Sequence, residues 1–141
     1  MSDSVWQEAL QIHIEHTDCT GVVYHAKYLN FLEMARSKVL EVLCSAKGMS
    51  IPTFYENYGF FVVHSVNIKY NRAMKLSDKA VVQSDFELVS PVRMRWHQKI
   101  IRQSSHEQCV QAVIDLAFID HNHKLKKIPA WLLYKQKERV K

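Results

Sequence analysis

The stretch that decides the fold is residues 26–45, AKYLNFLEMARSKVLEVLCS. Its apolar side chains cover most of the circumference of a helix, and neither Gly nor Pro interrupts them. Gly48 follows shortly afterwards, where a helix of this kind would end. Such a helix would be about 30 Å long, and one so apolar is expected to lie inside the protein.

Downstream of this helix the spacing of apolar residues changes to that of β-strands. After Gly59 every second residue from Phe60 to Tyr70 shares one face, and His64 falls among the apolar residues of that face. The same alternation recurs at residues 80–88, 92–100 and 110–118. We therefore expect four consecutive strands, joined as an antiparallel meander with one buried face.

Two shorter elements complete the expected fold. A first strand is predicted at residues 8–15, with Leu10, Ile12 and Ile14 on one face, and Pro129 opens a short C-terminal helix. The order of elements predicts one α+β domain over residues 1–141, an antiparallel sheet wrapped around one long central helix. Pairing of an edge strand with a second copy would protect that edge, so we expect a homo-oligomer.

The composition is typical of a compact cytoplasmic protein. Of 141 residues, 48% are hydrophobic and 23% are charged, while Gly and Pro are scarce. The N-terminus lacks the pattern of a signal peptide, and no apolar run is long enough for membrane insertion. Three widely spaced cysteines predict reduced thiols. The net charge of +5 favours an anionic partner: nucleic acid, an anionic membrane surface or a phosphorylated small molecule.

Residues 18–25, DCTGVVYH, place an aspartate, a glycine and a histidine just before the long helix. Gly21 permits a tight turn, and the first N–H groups of a helix have no carbonyl partners. These donors, at the positive end of the helix dipole, form a site for a developing negative charge. The carboxylate of Asp18 could attack a carbonyl held there or activate a water, which suits acyl transfer from a thioester.

The stretch TDCTGVVYHAKYLNFLEMAR, residues 17–36, resembles the signature of the 4-hydroxybenzoyl-CoA thioesterase family, which has the hotdog fold. It is most similar to the YbgC-type acyl-CoA thioesterases of that family, and weaker similarity extends through VNIKYNRAMKLSD and AFIDHNHKLKKIP. The resemblance implies hydrolysis of a small, fatty or aromatic acyl-CoA, or of an acyl carrier protein thioester, without metal or cofactor. It also implies a homodimer or homotetramer that binds substrate at subunit interfaces.

Carried over to this chain, the resemblance implies Asp18 as the catalytic carboxylate and His25 as a second active-site side chain. The backbone of Gly21, Val23 and Tyr24 would bind the thioester oxygen. Candidates for the acyl pocket or its support are Tyr28, Glu33 and His64.

Some residues allow more than one interpretation, or depart from the family pattern. Glu33 is either a buried acid or an ion-pair partner of Arg36. His64 is either a satisfied core histidine or a residue of the acyl pocket. The chain departs from the pattern at His16, at Cys19-Thr20, where a small Ala-Gly pair is usual, and at Ala73.

Two basic clusters are candidates for the phosphates of coenzyme A. Arg93, Arg95 and Lys99 share one strand face, and Lys69 and Arg72 lie near the end of another strand. The alternative is the ordinary solvated face of a sheet.

Five competing interpretations remain open on the sequence alone. Asp18 could be a turn-capping residue, or Cys19 and His25 could form a nucleophile pair. Asp120, His121 and His123 could bind a metal, although a surface turn fits them better. The protein could instead be a hydratase or dehydratase on acyl thioesters, or a non-catalytic basic module. We expect no nucleic acid partner, because Trp96 falls on the apolar face rather than among exposed stacking residues.

Overall fold

The long helix predicted at residues 26–45 is α1, Lys27–Ala46, in a computed structural model that describes residues 5–133. Gly48 follows α1 with φ of +74°, a left-handed conformation that suits glycine. One face of α1 is buried: Tyr28, Phe31, Leu32, Ala35, Val39, Leu43 and Cys44. The opposite face exposes Leu29, Met34 and Val42. The prediction of an entirely internal helix was therefore wrong, because the sheet covers only one side of α1.

The strands are β1 (Trp6–Gln11), β2 (Phe60–Tyr70), β3 (Lys79–Ser90), β4 (Arg93–Arg102) and β5 (Gln108–Ile119). All neighbouring pairs are antiparallel, and the sheet order is β1-β3-β4-β5-β2. The predicted α+β class, an antiparallel sheet packed on one long helix, is confirmed.

The alternation predicted for the last three strands is also confirmed. On β4, Met94, Trp96 and Ile100 are buried, and β5 buries every second residue from Val110 to Phe118. On β3, Ala80, Val82 and Phe86 are buried while Leu88 is exposed near the strand end.

The predicted meander of four strands was wrong in its first member. β2 pairs with β5 at the far edge of the sheet and does not neighbour β3. Most of its side chains are exposed, including His64, which lies in an irregularity between Val63 and Ser65. The prediction that the even positions of β2 share one face was also wrong, because this irregularity shifts the alternation. Among residues 5–133 the side chain of His64 is exposed, so His64 is not a core histidine.

The first strand is shorter than predicted. β1 ends at Gln11, and residues Ile14–His16 form a 3₁₀ turn. Ile12 is buried, as expected, but Ile14 is 75% exposed because the turn rotates it away from the sheet. In the sequence the alternation of apolar residues continues to Ile14, whereas the backbone leaves the sheet after Gln11.

A second helix, α2 (Ile51–Asn57), was not predicted. Ser50 caps it by accepting the N–H of Thr53, and Pro52 lies in its first turn. Helical backbone also begins at Ala130, directly after Pro129, and the rest of the predicted C-terminal helix lies outside the described residues. Within residues 5–133 no helix is long and apolar enough to cross a membrane.

Candidate active site

The loop before α1 is closed by its own backbone. The N–H of Asp18 donates to the carbonyl of Val22 at 2.9 Å, and the N–H of Gly21 donates back to the carbonyl of Asp18 at 3.2 Å. Gly21 has φ of +85°, so the tight turn predicted for it is present. This closed turn presents the Asp18 side chain to solvent.

A neighbouring loop, residues 71–78, braces this turn. The N–H of Val23 donates to the carbonyl of Met74 at 2.8 Å, and the N–H of Leu76 donates to the carbonyl of Gly21 at 3.1 Å. Met74 is itself held by Tyr28, whose hydroxyl accepts the buried Met74 N–H at 3.0 Å. Tyr28 therefore supports the loop from the first turn of α1, a role that its position in the sequence did not reveal.

Arg102 fastens the bracing loop from behind. Its guanidinium donates to Asp78 Oδ2 at 3.3 Å, to the carbonyl of Ala73 and to Glu107. Asp78 in turn accepts the N–H of Lys75 at 2.9 Å. A chain of hydrogen bonds thus connects β4 with the turn that carries Asp18.

The carboxylate of Asp18 is held by one neighbour. Oδ1 accepts both the N–H and the hydroxyl of Thr20, each at 2.7 Å. The hydroxyl bond and then the backbone bond from Thr20 lower the pKa of Asp18 below its ordinary value. The carboxylate is therefore ionised at neutral pH and exposed to an incoming reactant.

The backbone N–H groups that lack an acceptor lie slightly further along the chain than the sequence predicted. The N–H groups of Gly21, Val23 and Tyr24 already donate to carbonyls, that of Tyr24 to His16 at 3.0 Å. Among residues 5–133, no group accepts a hydrogen bond from the N–H of His25 or Ala26. These two donors lie immediately before α1, a helix of 20 residues, so they add to the positive end of its dipole.

The side chain of His25 lies at the junction of the loop and β2. Its ring centroid is 4.7 Å from that of Tyr24 and 6.4 Å from that of Tyr70, at the end of β2. His25 is exposed, so its ring is open to solvent beside the end of the edge strand.

An apolar pocket of about 130 Å³ lies between α1 and the sheet. Its lining is mostly apolar and comprises Val39, Leu40, Leu43, Tyr55, Phe61, Val63, Phe86, Met94, Trp96, Leu116 and Leu132, with Glu33, Arg36 and Ser37 as its polar members. Two candidates for an acyl pocket, Tyr28 and His64, do not line it, whereas Glu33 does.

Glu33 and Arg36 do not form the ion pair that their spacing suggested. Glu33 is exposed, and no ion pair joins it to Arg36 in the described part of the chain. Arg36 instead donates to Gln98 Oε1 at 3.0 Å, and burial lowers the pKa of its guanidinium. Gln98 also donates to the carbonyl of Leu32 and to Ser84, fixing α1 on the sheet. Gln98 is a polar residue on the apolar face of β4, and this feature of the sequence could have indicated the contact.

The two basic clusters lie on different parts of the sheet. Arg95 makes a bidentate pair with Asp115 at 2.8 and 3.0 Å, while Arg93 and Lys99 share its face without an ion pair among residues 5–133. Lys69 is exposed near the end of β2, and Arg72 just beyond that end pairs with Glu107 at 3.2 Å.

The other candidate groups have simpler surroundings. Asp120 accepts the N–H groups of Asn122 and Lys124, and His121 bonds the carbonyl of Tyr55 at 2.9 Å, so this segment is a surface turn. No group of three or more His, Cys, Asp or Glu side chains in residues 5–133 is placed to hold a metal ion. Cys19 is exposed and unpaired.

Comparisons with known proteins agree with this architecture. A family model described as the thioesterase-like superfamily matches residues 12–136. The acyl-CoA thioesterase YbgC of Haemophilus influenzae is 31% identical over 121 residues, which are 85% of each chain. YbaW of Escherichia coli, a probable thioesterase, has a crystal structure with 29% identity and a TM-score of 0.76, covering 96% of this chain and 98% of its own.

A further crystal structure shares the fold at lower identity. The 1,4-dihydroxy-2-naphthoyl-CoA thioesterase of Synechocystis has a TM-score of 0.80 at 17% identity, covering 95% of this chain and 96% of its own. The hotdog fold expected from residues 17–36 is thereby confirmed.

Proposed function

The chain belongs to the thioesterase-like superfamily, and we propose that it hydrolyses the thioester of an acyl-CoA to the free acid and coenzyme A. The observation that carries this proposal is the loop before α1. It combines an exposed, ionised Asp18 carboxylate with two unused N–H donors, those of His25 and Ala26, at the positive end of a long helix. The same chemistry would serve an acyl carrier protein thioester.

In the proposed reaction the carbonyl oxygen of the thioester accepts hydrogen bonds from the N–H groups of His25 and Ala26. These donors stabilise the negative charge that develops on that oxygen. Asp18 either attacks the carbonyl carbon or removes a proton from an attacking water. In both routes the C–S bond breaks and the thiolate leaves with its electron pair. Attack by water gives the free acid directly, and the proton taken up by Asp18 passes to the thiolate. Attack by Asp18 gives a mixed anhydride, which a water then hydrolyses to the free acid and the regenerated carboxylate. The ring of His25 lies beside this carbonyl as the second side chain of the site.

The proposed functional unit is a homodimer of single-domain chains joined at β2. This edge strand has 11 residues, and its side chains include the exposed Val62, Val63, Val66 and Tyr70. Long, exposed apolar edges are normally covered in native proteins, and a second copy of the same strand is the simplest cover. Pairing of two such dimers into a tetramer stays a prediction from the family resemblance.

A two-fold pairing of β2 would combine parts of two copies into one site. Antiparallel pairing about Ser65, the middle of β2, would place Tyr70 of one strand opposite Phe60 of the other, and Asn67 opposite Val63. Tyr70 contacts the ring of His25, and Val63 lines the apolar pocket. The thioester carbonyl would then lie at the helix start of one copy, and the acyl group would enter the pocket of the other.

The size of the pocket favours a small or aromatic acyl group. Its volume is about 130 Å³, and an engineered apolar cavity of about 150 Å³ is known to hold benzene.

Lys69 and Arg72 are the better candidates for binding the coenzyme A phosphates. They flank Tyr70 in the sequence, and the ring of Tyr70 contacts the ring of His25. Arg72 and Arg95 are both ion-paired, but Arg72 makes one bond to Glu107 whereas Arg95 is held by two bonds to Asp115, so Arg95 is less suited. Arg93 and Lys99 share the strand face of Arg95. A cytoplasmic location stays a prediction.

The test is thiol release from a panel of short, long and aromatic acyl-CoAs by the wild type and by Asp18→Asn. We expect hydrolysis of a short or aromatic member, and a loss of at least about a hundredfold in the variant, as for a catalytic acid–base group. Thiol release by neither protein would contradict the proposed reaction. Equal release by both would contradict the role of Asp18.

A further inference from the structure

We propose that Thr20 is a positioning residue that orients the Asp18 carboxylate, leaving Oδ2 as the reactive oxygen. This inference rests on the proposed function, in which Asp18 is the attacking or basic group. It assigns a role to a residue at which the chain departs from the small Ala-Gly pair usual in the family it resembles.

The geometry around the carboxylate is asymmetric. Both donors of Thr20, its N–H and its hydroxyl, bond the same oxygen, Oδ1, at 2.7 Å each. The backbone N–H groups of Val22 and of Asp18 itself also lower the pKa of this carboxyl, but less than the two donors of Thr20 do. Two short, charge-assisted bonds to one oxygen fix the rotamer of an otherwise exposed side chain and direct Oδ2 away from the turn.

No ion pair competes with Thr20 for this carboxylate. The titratable or charged groups just before α1 and in its first turn are His13, Glu15, His16, Cys19, Tyr24, His25, Lys27 and Tyr28, and those on the bracing loop are Arg72, Lys75 and Asp78. None of them forms a salt bridge with Asp18 in the described part of the chain. Consistently, the hydroxyl of Thr20 is the largest cause of the lowered pKa of Asp18.

The hydroxyl can be removed with little change in shape. Thr20→Val keeps the branched side chain and the backbone donor but deletes one of the two bonds to Oδ1, whereas Thr20→Ser restores a hydroxyl. Thr17→Val is a matched control in the same loop, because the Thr17 hydroxyl donates to the carbonyl of Ile14 at 2.8 Å and not to Asp18.

The experiment has two readouts. The first is an NMR titration of the Asp18 carboxyl carbon, assigned by its absence from the spectrum of Asp18→Asn, which reports the carboxylate without any reliance on turnover. The second is the pH dependence of kcat and KM for thiol release from the acyl-CoA that the wild type hydrolyses best.

For Thr20→Val we expect the titration midpoint of Asp18 to move to higher pH. Because the carboxylate would then sample unproductive rotamers, kcat should fall about three- to tenfold with KM changed less than about twofold. Thr20→Ser and Thr17→Val should both resemble the wild type. The inference is overturned if Thr20→Val titrates like the wild type, or if its kcat stays within about twofold of the wild type.

Failure of this inference is distinguishable from failure of the proposed function. If Asp18→Asn still releases thiol at the wild-type rate, Asp18 is not the catalytic group and the proposed function fails, whatever Thr20 does. If Asp18→Asn is inactive while Thr20→Val matches the wild type in both readouts, only the role of Thr20 is refuted.

Discussion

Removing the hydroxyl of Tyr28 tests how the bracing loop, residues 71–78, supports the site. The hydroxyl oxygen accepts the N–H of Met74 at 3.0 Å, and the carbonyl of Met74 accepts the N–H of Val23. Tyr28→Phe deletes one atom and leaves the ring in place. It therefore removes the acceptor without creating a large cavity, and it leaves the Met74 N–H without a partner.

The expected loss of stability follows from the burial of both residues that make this hydrogen bond. Tyr28 is 3% exposed and Met74 is fully buried, so water cannot replace the lost acceptor. An unsatisfied buried donor costs about 1–3 kcal/mol. At about 2–4 °C per kcal/mol for a chain near this size, Tm should fall by about 2–12 °C.

The assay is urea and thermal unfolding of the wild type and variant at one protein concentration, because oligomerisation makes stability depend on concentration. Tyr58→Phe is the matched control. Tyr58 stacks on Phe54, with ring centroids 5.3 Å apart, and its hydroxyl makes no hydrogen bond among residues 5–133. We expect its free energy of unfolding to stay within about 0.5 kcal/mol of the wild type.

Equal stability of Tyr28→Phe and Tyr58→Phe would refute this account of the loop. A loss of stability in Tyr28→Phe with kcat unchanged would show that the brace serves the fold but does not position Asp18. We expect both stability and kcat to fall, since the turn that carries Asp18 is bonded to Met74.

Arg102→Gln should lower kcat about tenfold by releasing the bracing loop. As a control, Glu87→Gln breaks the exposed pair with His97 and should leave kcat within about twofold. Equal kcat values for the two variants would contradict the role of Arg102. Burial lowers the pKa of His16 from its ordinary value of 6.5, so the unfolded chain takes up the proton more readily. The urea midpoint should therefore fall as pH drops through that value, and by less in His16→Asn; an identical fall would contradict this. Val66→Lys should convert the proposed dimer to monomers in analytical ultracentrifugation, and an intact dimer would refute pairing at β2.

Local patterns in the sequence predicted much of the fold. The bounds of α1 follow from its uninterrupted apolar residues and Gly48, and the buried faces of β4 and β5 follow from strict alternation. Alternation of apolar residues indicates which side chains share a face of one strand. It does not indicate which strands are neighbours in the sheet. The edge position of β2 was therefore missed, and its apolar residues were taken for core.

The candidate site was predicted where it depends on local geometry. The tight turn at Gly21 and the exposed Asp18 could be predicted from the sequence. The free donors could not, because the N–H of Val23 is taken by Met74, a contact between segments far apart in the chain. Together with the bonds from Gly21 to Asp18 and from Tyr24 to His16, that long-range pairing leaves His25 and Ala26 as the free donors.

The measurement that tests the central claim most directly compares Asp18→Asn with Asp120→Asn in thiol release from one acyl-CoA. Asp120 is also an aspartate at a surface turn with a lowered pKa, although it is only partly exposed, and its Oδ1 accepts backbone N–H groups at 2.8 and 3.0 Å. Both variants lose a turn cap, so both should lose a similar, small amount of stability. We predict that only Asp18→Asn loses at least about a hundredfold in kcat/KM. Equal activity of the two variants would mean that Asp18 only caps a turn, and would contradict the account.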